Sequence, residues 1–328
     1  MSYFAKHFDV VSIGDCVVDT FLTLNNPNEY CHIEKAHHEL CIKSGAKVMV
    51  DDAQFLLGGN ACNVSVGLSR LGVKTALLAE IGDDAFSQKI LQGLKEEDVY
   101  EGYIKQNKNA PSTFSVVLNI LGERTLFVRH VERDHSMKLE NFSAKFLYLS
   151  SLGRKWQGLY ERALFYAKKN SILLAFNPGT TQLQDKGDML TKALEMTDIL
   201  FVNREEAELL VYGKPCPPED KETIENLLFR LQRLGPKMVV MTDGNHGGYA
   251  MGSDAKVQHC PPMPCTMVEK TGAGDAYAAG FLGALLLGKS VEEALQWGAA
   301  ESASVIEHVG AQPGLLTMNG LKHRLSSL

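Results

Sequence analysis

The residues whose types and spacing most clearly suggest a chemical function form a glycine turn that runs directly into an apolar helix. The turn is Thr271-Gly272-Ala273-Gly274-Asp275, and the chain continues as AYAAGFLGALLLG. Glycine lets the backbone adopt positive φ angles and approach a ligand closely, and the unpaired N–H groups at a helix start favour an anion. A carboxylate beside such a site is placed to remove a proton while negative charge develops next to it. From these residues alone, the alternative is that Asp275 only caps the helix.

Three further polar clusters follow short apolar runs that are typical of buried parallel strands. Ligands of doubly wound sheets bind beyond the carboxyl ends of the strands, so these clusters predict one site shared with the glycine turn. A single cluster would be explained as solvated loop polarity, but four at one predicted edge favour a binding site. The clusters are Gly14, Asp15 and Asp19; Asn203 and Glu206; and Thr242, Gly244 and Gly247.

The elements that must position these residues alternate between strand and helix, which predicts a mostly parallel sheet with helices on both faces. Three strand segments outside this rhythm predict a small separate sheet with a hairpin around Leu121-Gly122-Glu123. The stretch 25–46 has no clear period. The predicted main strands are 8–13, 75–81, 146–149, 172–176, 199–202 and 238–241; the helices are 58–72, 85–97, 156–169, 189–196, 205–211 and 223–234; the separate strands are 17–24, 47–57 and 113–131.

Composition restricts the class of protein. The chain has 328 residues, 45% of them hydrophobic and 22% charged, which is typical of a soluble globular protein. Its formal net charge of -6 argues against broad nucleic-acid binding. No apolar run reaches the roughly 18 residues that span a bilayer, and the first residues have no signal-peptide pattern. The seven cysteines show no CxxC pair, so we expect a cytoplasmic protein that binds neither membranes nor nucleic acids.

Five motifs together resemble the signatures of the ribokinase-like, or PfkB, carbohydrate kinase family. They occur in the family's order over nearly the whole chain. The resemblance implies a three-layer α/β/α sandwich with a mostly parallel central sheet and a small β-sheet lid. The whole chain, 1–328, would then be a single kinase domain with lid segments inserted near 17–57 and 112–132. The motifs are TGAGDAYAAGF from Thr271, GGNACNVSVGLSRLG from Gly58 with GDDAF from Gly82, NREE from Asn203, TDGNHGG from Thr242 and GAQPG from Gly310.

That resemblance implies a transferase that uses ATP and Mg²⁺ to phosphorylate a hydroxyl group of a sugar. Phosphoryl transfer requires positioning and charge neutralisation rather than covalent help from the protein. Asp275 is implied to be the general base, beside backbone N–H groups that hold the transferring phosphoryl group. Asn203 and Glu206 would organise Mg²⁺, which keeps several of its waters. The N–H groups are those of the turn from Gly272 through Ala273 and Gly274 to Asp275.

The resemblance also assigns the two substrates to separate residues. By this resemblance, the nucleotide would lie against the loop that follows the strand at 238–241. The chain has no P-loop motif, so a P-loop mechanism is not supported. Carboxylates and carboxamides suit a polyhydroxylated acceptor because they offer several directional hydrogen bonds. The implied nucleotide-binding residues are Thr242, Gly244 and Gly247; the implied acceptor-binding residues are Asp19, Gly59 and Asn63, with Asp15 and Asn60 close by.

Three positions depart from the family pattern. Glu269 stands where the family usually has Asp, and Lys270 replaces a small hydroxyl residue. This region commonly frames a monovalent-cation site, so K⁺ is a doubtful cofactor for this chain. Ala299 stands where many sugar kinases carry an Asn near the adenine. The details of base recognition therefore do not carry over.

Other interpretations stay open. A nucleoside kinase of the same family is the main alternative, and a catalytically silent sugar- or nucleotide-binding protein is a third. The small sheet predicts a homodimer formed through the lid, because exposed sheet edges pair readily. Arg129, His130 and Arg133 either face the acceptor or a phosphate, or are solvated charge. Zinc suits thiolate and imidazole ligands, but the spacing of the Cys/His stretch matches no standard zinc pattern and favours a loop; its residues are Cys31, His32, His37, His38 and Cys41.

Overall fold

The computed structural model describes residues 6–26, 29–34, 39–121, 123–185, 187–216 and 223–326. Strands and helices alternate over most of this length. The strands are Lys6–Ile13 (β1), Val17–Leu24 (β2), Cys31–Glu34 (β3), Glu39–Ile42 (β4), Asp52–Gly58 (β5), Thr75–Leu78 (β6), Glu80–Ile81 (β7), Lys105–Gln106 (β8), Phe114–Ile120 (β9), Glu123–Arg129 (β10), Phe142–Leu149 (β11), Leu173–Phe176 (β12), Ile199–Asn203 (β13), Met238–Thr242 (β14), Gly248–Met251 (β15) and Val257–Cys260 (β16).

The helices pack on the sheet formed by the longer buried strands. Helix α1 contains the apolar positions of the predicted segment 58–72, and α8 begins in the glycine turn. The helices are Asn60–Arg70 (α1), Ala85–Glu96 (α2), Gln157–Asn170 (α3), Thr180–Asp185 (α4), Asp188–Met196 (α5), Arg204–Tyr212 (α6), Ile224–Gln232 (α7), Ala273–Leu286 (α8), Val291–Ile306 (α9) and Met318–Ser326 (α10).

The predicted mostly parallel sheet is confirmed. Eight strands lie in the order β16-β15-β14-β13-β12-β11-β1-β6. The six strands from β14 to β6 run parallel, and β15 and β16 continue the sheet antiparallel. Since the carboxyl ends of the parallel strands lie at one edge, the polar residues that follow them are brought to the same side of the molecule.

Helices cover both faces of this sheet, which gives the predicted three layers. Side chains alternate between the faces along each strand. Val11 and Ile13 of β1 pack in a core with α3, α5, α6 and α7. Val10 of the same strand packs in a second core with α1, α8, α9 and α10. Both cores are almost entirely aliphatic and aromatic, so the burial of these side chains holds the sheet edge and its loops in place.

The predicted separate sheet is also confirmed. Its strand order is β10-β9-β2-β5, with β2 antiparallel to β5 and parallel to β9. The hairpin prediction is correct, since β9 and β10 pair antiparallel. The predicted strand at 47–57 begins too early, because β5 starts at Asp52, which pairs with Thr23 near the end of β2. Asp51 N still donates a hydrogen bond to the carbonyl oxygen of Thr23 at 2.8 Å, but residues 47–50 lie in no strand.

The stretch 25–46 contains a short hairpin that sequence reasoning missed. Strands β3 and β4 pair with His32 opposite Cys41, and Cys31 is buried with Leu24 and Ile120 at the end of the small sheet. His37 and His38 lie outside the described residues. Within the described ranges, no group of three or more His, Cys, Asp and Glu side chains could hold a metal ion. Cys31, His32 and Cys41 lie on the paired strands of this hairpin.

Two further observations concern the whole described chain. None of its helices is long and apolar enough to cross a membrane. The seven cysteines are all free thiols. The cytoplasmic location stays a prediction from the sequence.

Candidate active site

Eight of the predicted site residues line a cavity of about 230 Å³ at the carboxyl edge of the large sheet. Strands β13 and β14 end side by side there, with Asn203 opposite Thr242. The start of α8 closes the other side. The residues that line the cavity include Asn60, Asn177, Asn203, Glu206, Thr242, Lys270, Gly272, Ala273, Gly274, Asp275 and Tyr277.

The glycine turn has the backbone geometry of an anion site. Gly272 is the N-cap of α8 and has φ 79°, a left-handed conformation that favours glycine. Among the described residues, no carbonyl or side chain accepts a hydrogen bond from the N–H groups of Gly274 and Asp275. These donors lie at the N-terminal, positive end of the helix dipole of α8, next to the cavity. The alternative that Asp275 merely caps the helix is wrong, because its side chain bonds elsewhere.

Asp275 is buried and held by a relay of two carboxamides. Its side chain is 8% exposed, and its Oδ2 accepts a hydrogen bond from Asn63 Nδ2 at 2.8 Å. Asn63 Oδ1 in turn accepts from Gln312 Nε2 at 3.0 Å. Burial raises the pKa of Asp275 to about 6, and the Asn63 hydrogen bond opposes part of that rise. A carboxylate with this pKa is ionised at neutral pH and is a better base than an exposed one.

Asn203 and Glu206 form a reciprocal capping box at the start of α6. The Asn203 side chain accepts from Glu206 N at 2.9 Å, and Glu206 Oε2 accepts from Asn203 N at 2.8 Å. The pKa of Glu206 is raised to about 7, chiefly by burial; the hydrogen bond from the Asn203 backbone opposes part of the rise, and the negative charges of Asp275 and Glu205 add to it. The N-x-x-E spacing therefore has a local structural role and also brings a second carboxylate to the cavity.

A second cavity, of about 340 Å³, adjoins the first. Both are lined by Thr242, Lys270 and Gly274, so a ligand can extend from one to the other along the start of α8. The second cavity is mostly apolar and is lined in addition by residues of the loop after β14, of the segment after β16 and of α9. These include Gly244, Gly247, Pro262, Met263, Ala299, Ser302, Ala303 and Ile306.

The predicted acceptor residues lie together where β1, β2 and β5 meet α1. Gly59 has φ 96°, and a Cβ there would lie 2.4 Å from the carbonyl oxygen of Asp15. A Cβ on the neighbouring Gly58 would collide with the carboxylate of Asp19, which also accepts a hydrogen bond from Ser115. The backbone carbonyl group of Asp15 and the carboxylate of Asp19 thus flank the glycine pair, and the next residue along the chain, Asn60, lines the central cavity.

The electrostatics of this acceptor cluster are dominated by burial. Burial raises the pKa of Asp15 to about 7, and the positive charge of Arg133 opposes the rise. Burial also raises the pKa of Asp19, while the Ser115 hydrogen bond lowers it and the charge of Glu269 adds to the rise. In both groups burial disfavours the charged form of the carboxyl group, and both carboxyl groups can exchange hydrogen bonds with hydroxyl groups.

The predicted site residues fall into four groups according to where they lie: at the central cavity, at the second cavity, in the acceptor cluster, or behind Asp275. Asn63 is the one that sequence reasoning placed differently, because both ends of its carboxamide bond to protein groups behind Asp275. Asn60, Asn203, Glu206, Thr242, Gly272, Ala273, Gly274 and Asp275 line the central cavity; Gly244 and Gly247 line the second; Asp15, Asp19 and Gly59 form the acceptor cluster beside them; Asn63 lies behind.

Sequence reasoning missed four residues of the site. Asn177 follows β12 as Asn203 follows β13, and this position after a buried strand was the available signal. Lys270 lines both cavities, although the sequence marks it only as a departure from the family pattern. Tyr277 also lines both, and Gln312 orients Asn63 from the GAQPG turn. Their roles depend on contacts between segments far apart in the chain.

The basic residues near the small sheet divide into two groups. Arg133 is buried, donates to the carbonyl oxygen of Pro111 at 2.5 Å, and lies close enough to Asp15 to influence its pKa. Arg129 and His130 are exposed. The structure thus brings Arg133 alone of the three to the acceptor cluster.

Several known kinases are similar to this chain in sequence or in structure. The model of the pfkB family carbohydrate kinases matches residues 10–318. The 5-dehydro-2-deoxygluconokinase of Clostridium perfringens is 26% identical over 283 residues, covering 81% of this chain and 82% of that protein. The nucleoside kinase of Methanocaldococcus jannaschii is 28% identical over 291 residues, covering 85% and 88%. Arabidopsis thaliana ribokinase, solved with ribose and ATP, superposes with a TM-score of 0.76 at 21% identity, covering 97% and 98%.

The fold and these relatives define a ribokinase-like phosphotransferase with a hydroxyl group as acceptor. The chain belongs to the pfkB family of carbohydrate kinases. It is a sugar or nucleoside kinase, and the relatives give no support to the alternative of a catalytically silent binding protein.

Proposed function

We propose that the protein transfers the γ-phosphate of ATP to a hydroxyl group of a sugar, with Asp275 as general base. One observation carries this proposal. Asp275 is a buried carboxylate that accepts a hydrogen bond from Asn63 and lines the central cavity beside Gly274, which lines both cavities. No described residue accepts a hydrogen bond from the N–H groups of Gly274 and Asp275. The acceptor hydroxyl gives its proton to Asp275, its oxygen bonds to the γ-phosphorus, and the bond to ADP breaks.

The second cavity suits the nucleotide. Its apolar walls would hold the base, and the phosphates would extend past Lys270 to the N–H groups of Gly274 and Asp275. The ammonium group of Lys270 would stabilise phosphate charge there. In this arrangement the γ-phosphate reaches the central cavity, and the helix start stabilises the negative charge of its oxygens in the transition state.

The oxygen-rich wall of the central cavity fits Mg²⁺. Glu206 contributes a carboxylate, and Asn203 and Asn177 contribute carboxamides, which are hard oxygen ligands of the kind Mg²⁺ prefers. Glu206 and Asn203 would hold the ion through water, since both already bond within the capping box of α6. Bound there, Mg²⁺ would neutralise charge on the β- and γ-phosphates.

The acceptor would bind between the small sheet and the start of α1. Asp15, Asp19, Gly59 and Asn60 surround this region, and Asn63 connects it to Asp275. Two carboxyl groups with raised pKa values suit the several hydroxyl groups of a sugar. A nucleoside is the second candidate, supported by the nucleoside kinase relative. Either acceptor offers a ribose-like set of hydroxyl groups.

An ADP-release screen tests the proposal. Purified protein with ATP and Mg²⁺ is offered hexoses, pentoses, sugar acids, sugar phosphates and nucleosides, and ADP is measured by a coupled assay. Acceptor-dependent release with a sugar supports the sugar kinase, and release confined to nucleosides supports the second candidate. If no acceptor raises ADP release above the rate without acceptor, the proposed function is wrong.

The rate should fall in mild acid because the general base must be ionised. With a pKa of about 6 for Asp275 and about 7 for Glu206, we expect log kcat/KM to decline as the pH falls through 7 to 6, with the pair titrating together. The hydrogen bond from Asn63 lowers the pKa of Asp275, so Asn63→Ala should move the acid limb to higher pH. An acid limb that stays in place in this variant contradicts the assignment.

We propose that the small sheet is a lid over the acceptor within a single kinase domain, and that it also forms a homodimer. Strand β10 is an edge strand, and Leu126, Phe127 and Val128 are all largely exposed. Exposed apolar edge strands are sites of chain association. The strand of a second copy, with the same residues, would complement this edge and cover its side chains.

Phe127→Asp should dissociate this dimer. The Phe127 side chain is 53% exposed, so the change costs little in the monomer but places charge in the proposed interface. Light scattering coupled to gel filtration should give the mass of a dimer for the wild type and of a monomer for the variant. Phe165→Asp, at a 68% exposed position on α3, is the matched control and should stay dimeric. A monomeric wild type rules the dimer out.

A further inference from the structure

Glu269 lies at a junction of three segments around the glycine turn. Its Oε1 accepts hydrogen bonds from Arg124 Nη1 of β10 at 2.8 Å and from Thr271 N at 3.2 Å. Its Oε2 accepts from Gly310 N at 2.9 Å. The hydroxyl of Thr271 also contacts both Arg124 and Glu269. Since Thr271 directly precedes Gly272, this carboxylate fixes the residue that leads into the turn.

Arg124 neutralises the charge of Glu269. The Glu269 side chain is 4% exposed, whereas that of Arg124 is 43% exposed and reaches inward from the small sheet. A buried carboxylate without a cationic partner destabilises the fold, because its charge has lost its hydration. Within the described part of the chain, Arg124 is the residue that forms an ion pair with Glu269. The site thus contains a cation of its own.

The surroundings of Glu269 do not fit a K⁺ ion. Both carboxylate oxygens already accept hydrogen bonds from protein donors, and the hydroxyl of Thr271 is engaged by Arg124 and Glu269. A second cation beside the guanidinium group would be repelled by it. The Glu269 carboxylate is therefore paired with the guanidinium group of Arg124, and its oxygens are not available as ligands for K⁺.

We propose that Arg124 takes the place of a monovalent cation and acts as a positioning residue. Through Glu269 and Thr271 it holds the glycine turn in the conformation that receives the phosphoryl group. The inference rests on the proposed kinase function. Because Arg124 belongs to the small sheet, the same contact links the position of the lid to the turn. The wild-type enzyme is accordingly expected to be equally active in K⁺ and in Na⁺.

The test compares charge-removing and charge-keeping variants. Arg124→Gln should lower kcat about 10- to 100-fold in NaCl, with a smaller effect on the KM for ATP, because the turn acts on the transition state. Low, non-denaturing concentrations of guanidinium or K⁺ should restore part of that loss. Arg124→Lys should keep most of the activity. Arg129→Gln removes a charge from the same strand without a contact to Glu269 and should gain no cation dependence.

Several outcomes overturn the inference. One is a wild type activated severalfold by K⁺ over Na⁺, another is Arg124→Gln with wild-type kcat, and a third is a loss of kcat that neither cation restores. The melting temperature gives a readout that does not require activity: KCl should stabilise Arg124→Gln more than NaCl does and leave the wild type unchanged. If the wild type phosphorylates no acceptor, the proposed function fails, and this thermal comparison still tests the role of Arg124.

Discussion

Asp275→Asn is expected to lower kcat by about 10²- to 10⁴-fold, the usual contribution of a positioned general base. The amide cannot take the proton of the acceptor hydroxyl, yet its oxygen can still accept the hydrogen bond from Asn63. The start of α8 and its backbone N–H groups are unchanged by the substitution. We therefore expect ATP to bind with near wild-type affinity, measured by calorimetry, while ADP release in the coupled assay is almost lost.

The same variant should be at least as stable as the wild type. Burial raises the pKa of Asp275 from 3.8 to about 6, so the ionised form is disfavoured in the fold by roughly 3 kcal/mol at neutral pH. This penalty is absent below the unfolded-state pKa and present above the folded-state pKa. Removing the charge relieves it, so the melting temperature at pH 7.5 should hold or rise. A base that is costly to the fold and essential to turnover is typical of active sites.

Two results would contradict this assignment. Turnover near the wild-type rate would remove Asp275 as the base. A large drop in melting temperature would mean that the carboxylate holds the helix start together, as a structural residue does. Asp134→Asn, at an exposed position in an ion pair with Lys155, is the matched control and should change neither quantity measurably.

The strands that carry the site could be predicted because their sequences are buried on both faces. FDVVSI, ILFVN and MVVMT are short apolar runs that end in a polar residue or glycine, and each became a parallel strand that ends at the site edge. The two antiparallel strands β15 and β16 were missed because four-residue segments with polar positions, GYAM and VQHC, give no period. The hairpin of β3 and β4 was missed for the same reason.

Individual roles within the site were harder to predict than its location. The spacing of Asn203 and Glu206 is that of a capping box, so local geometry alone accounts for it, and only the cavity shows that Glu206 also approaches Asp275. Asn63 was expected to contact the acceptor, but its partner is a carboxylate 212 positions away in the chain. Nothing in the sequence around Arg124 predicts its contact with Glu269, since an exposed arginine on an edge strand is common.

Substitutions in the glycine turn are expected to have the second large effect, and alanine at its two glycines should affect stability and activity differently. Gly272 has φ 79°, and a Cβ there would lie 2.4 Å from that of Ala311. Gly272→Ala should therefore lower both the melting temperature and kcat, because the strained turn shifts against the GAQPG segment. A Cβ on Gly274 would meet no protein atom within 4 Å. Gly274→Ala should leave the melting temperature unchanged or slightly higher, since alanine favours a helix.

Gly274→Ala nevertheless should lower kcat/KM for ATP by at least about tenfold, which corresponds to roughly 1.4 kcal/mol. Gly274 lines both cavities, so the added methyl group would occupy space where the transferring phosphoryl group approaches the N–H donors. Gly153→Ala, which also meets no atom within 4 Å but lines neither cavity, should match the wild type in both measurements. If Gly274→Ala keeps wild-type kcat/KM for ATP, the phosphoryl group does not contact this turn, and the proposed path between the cavities is wrong.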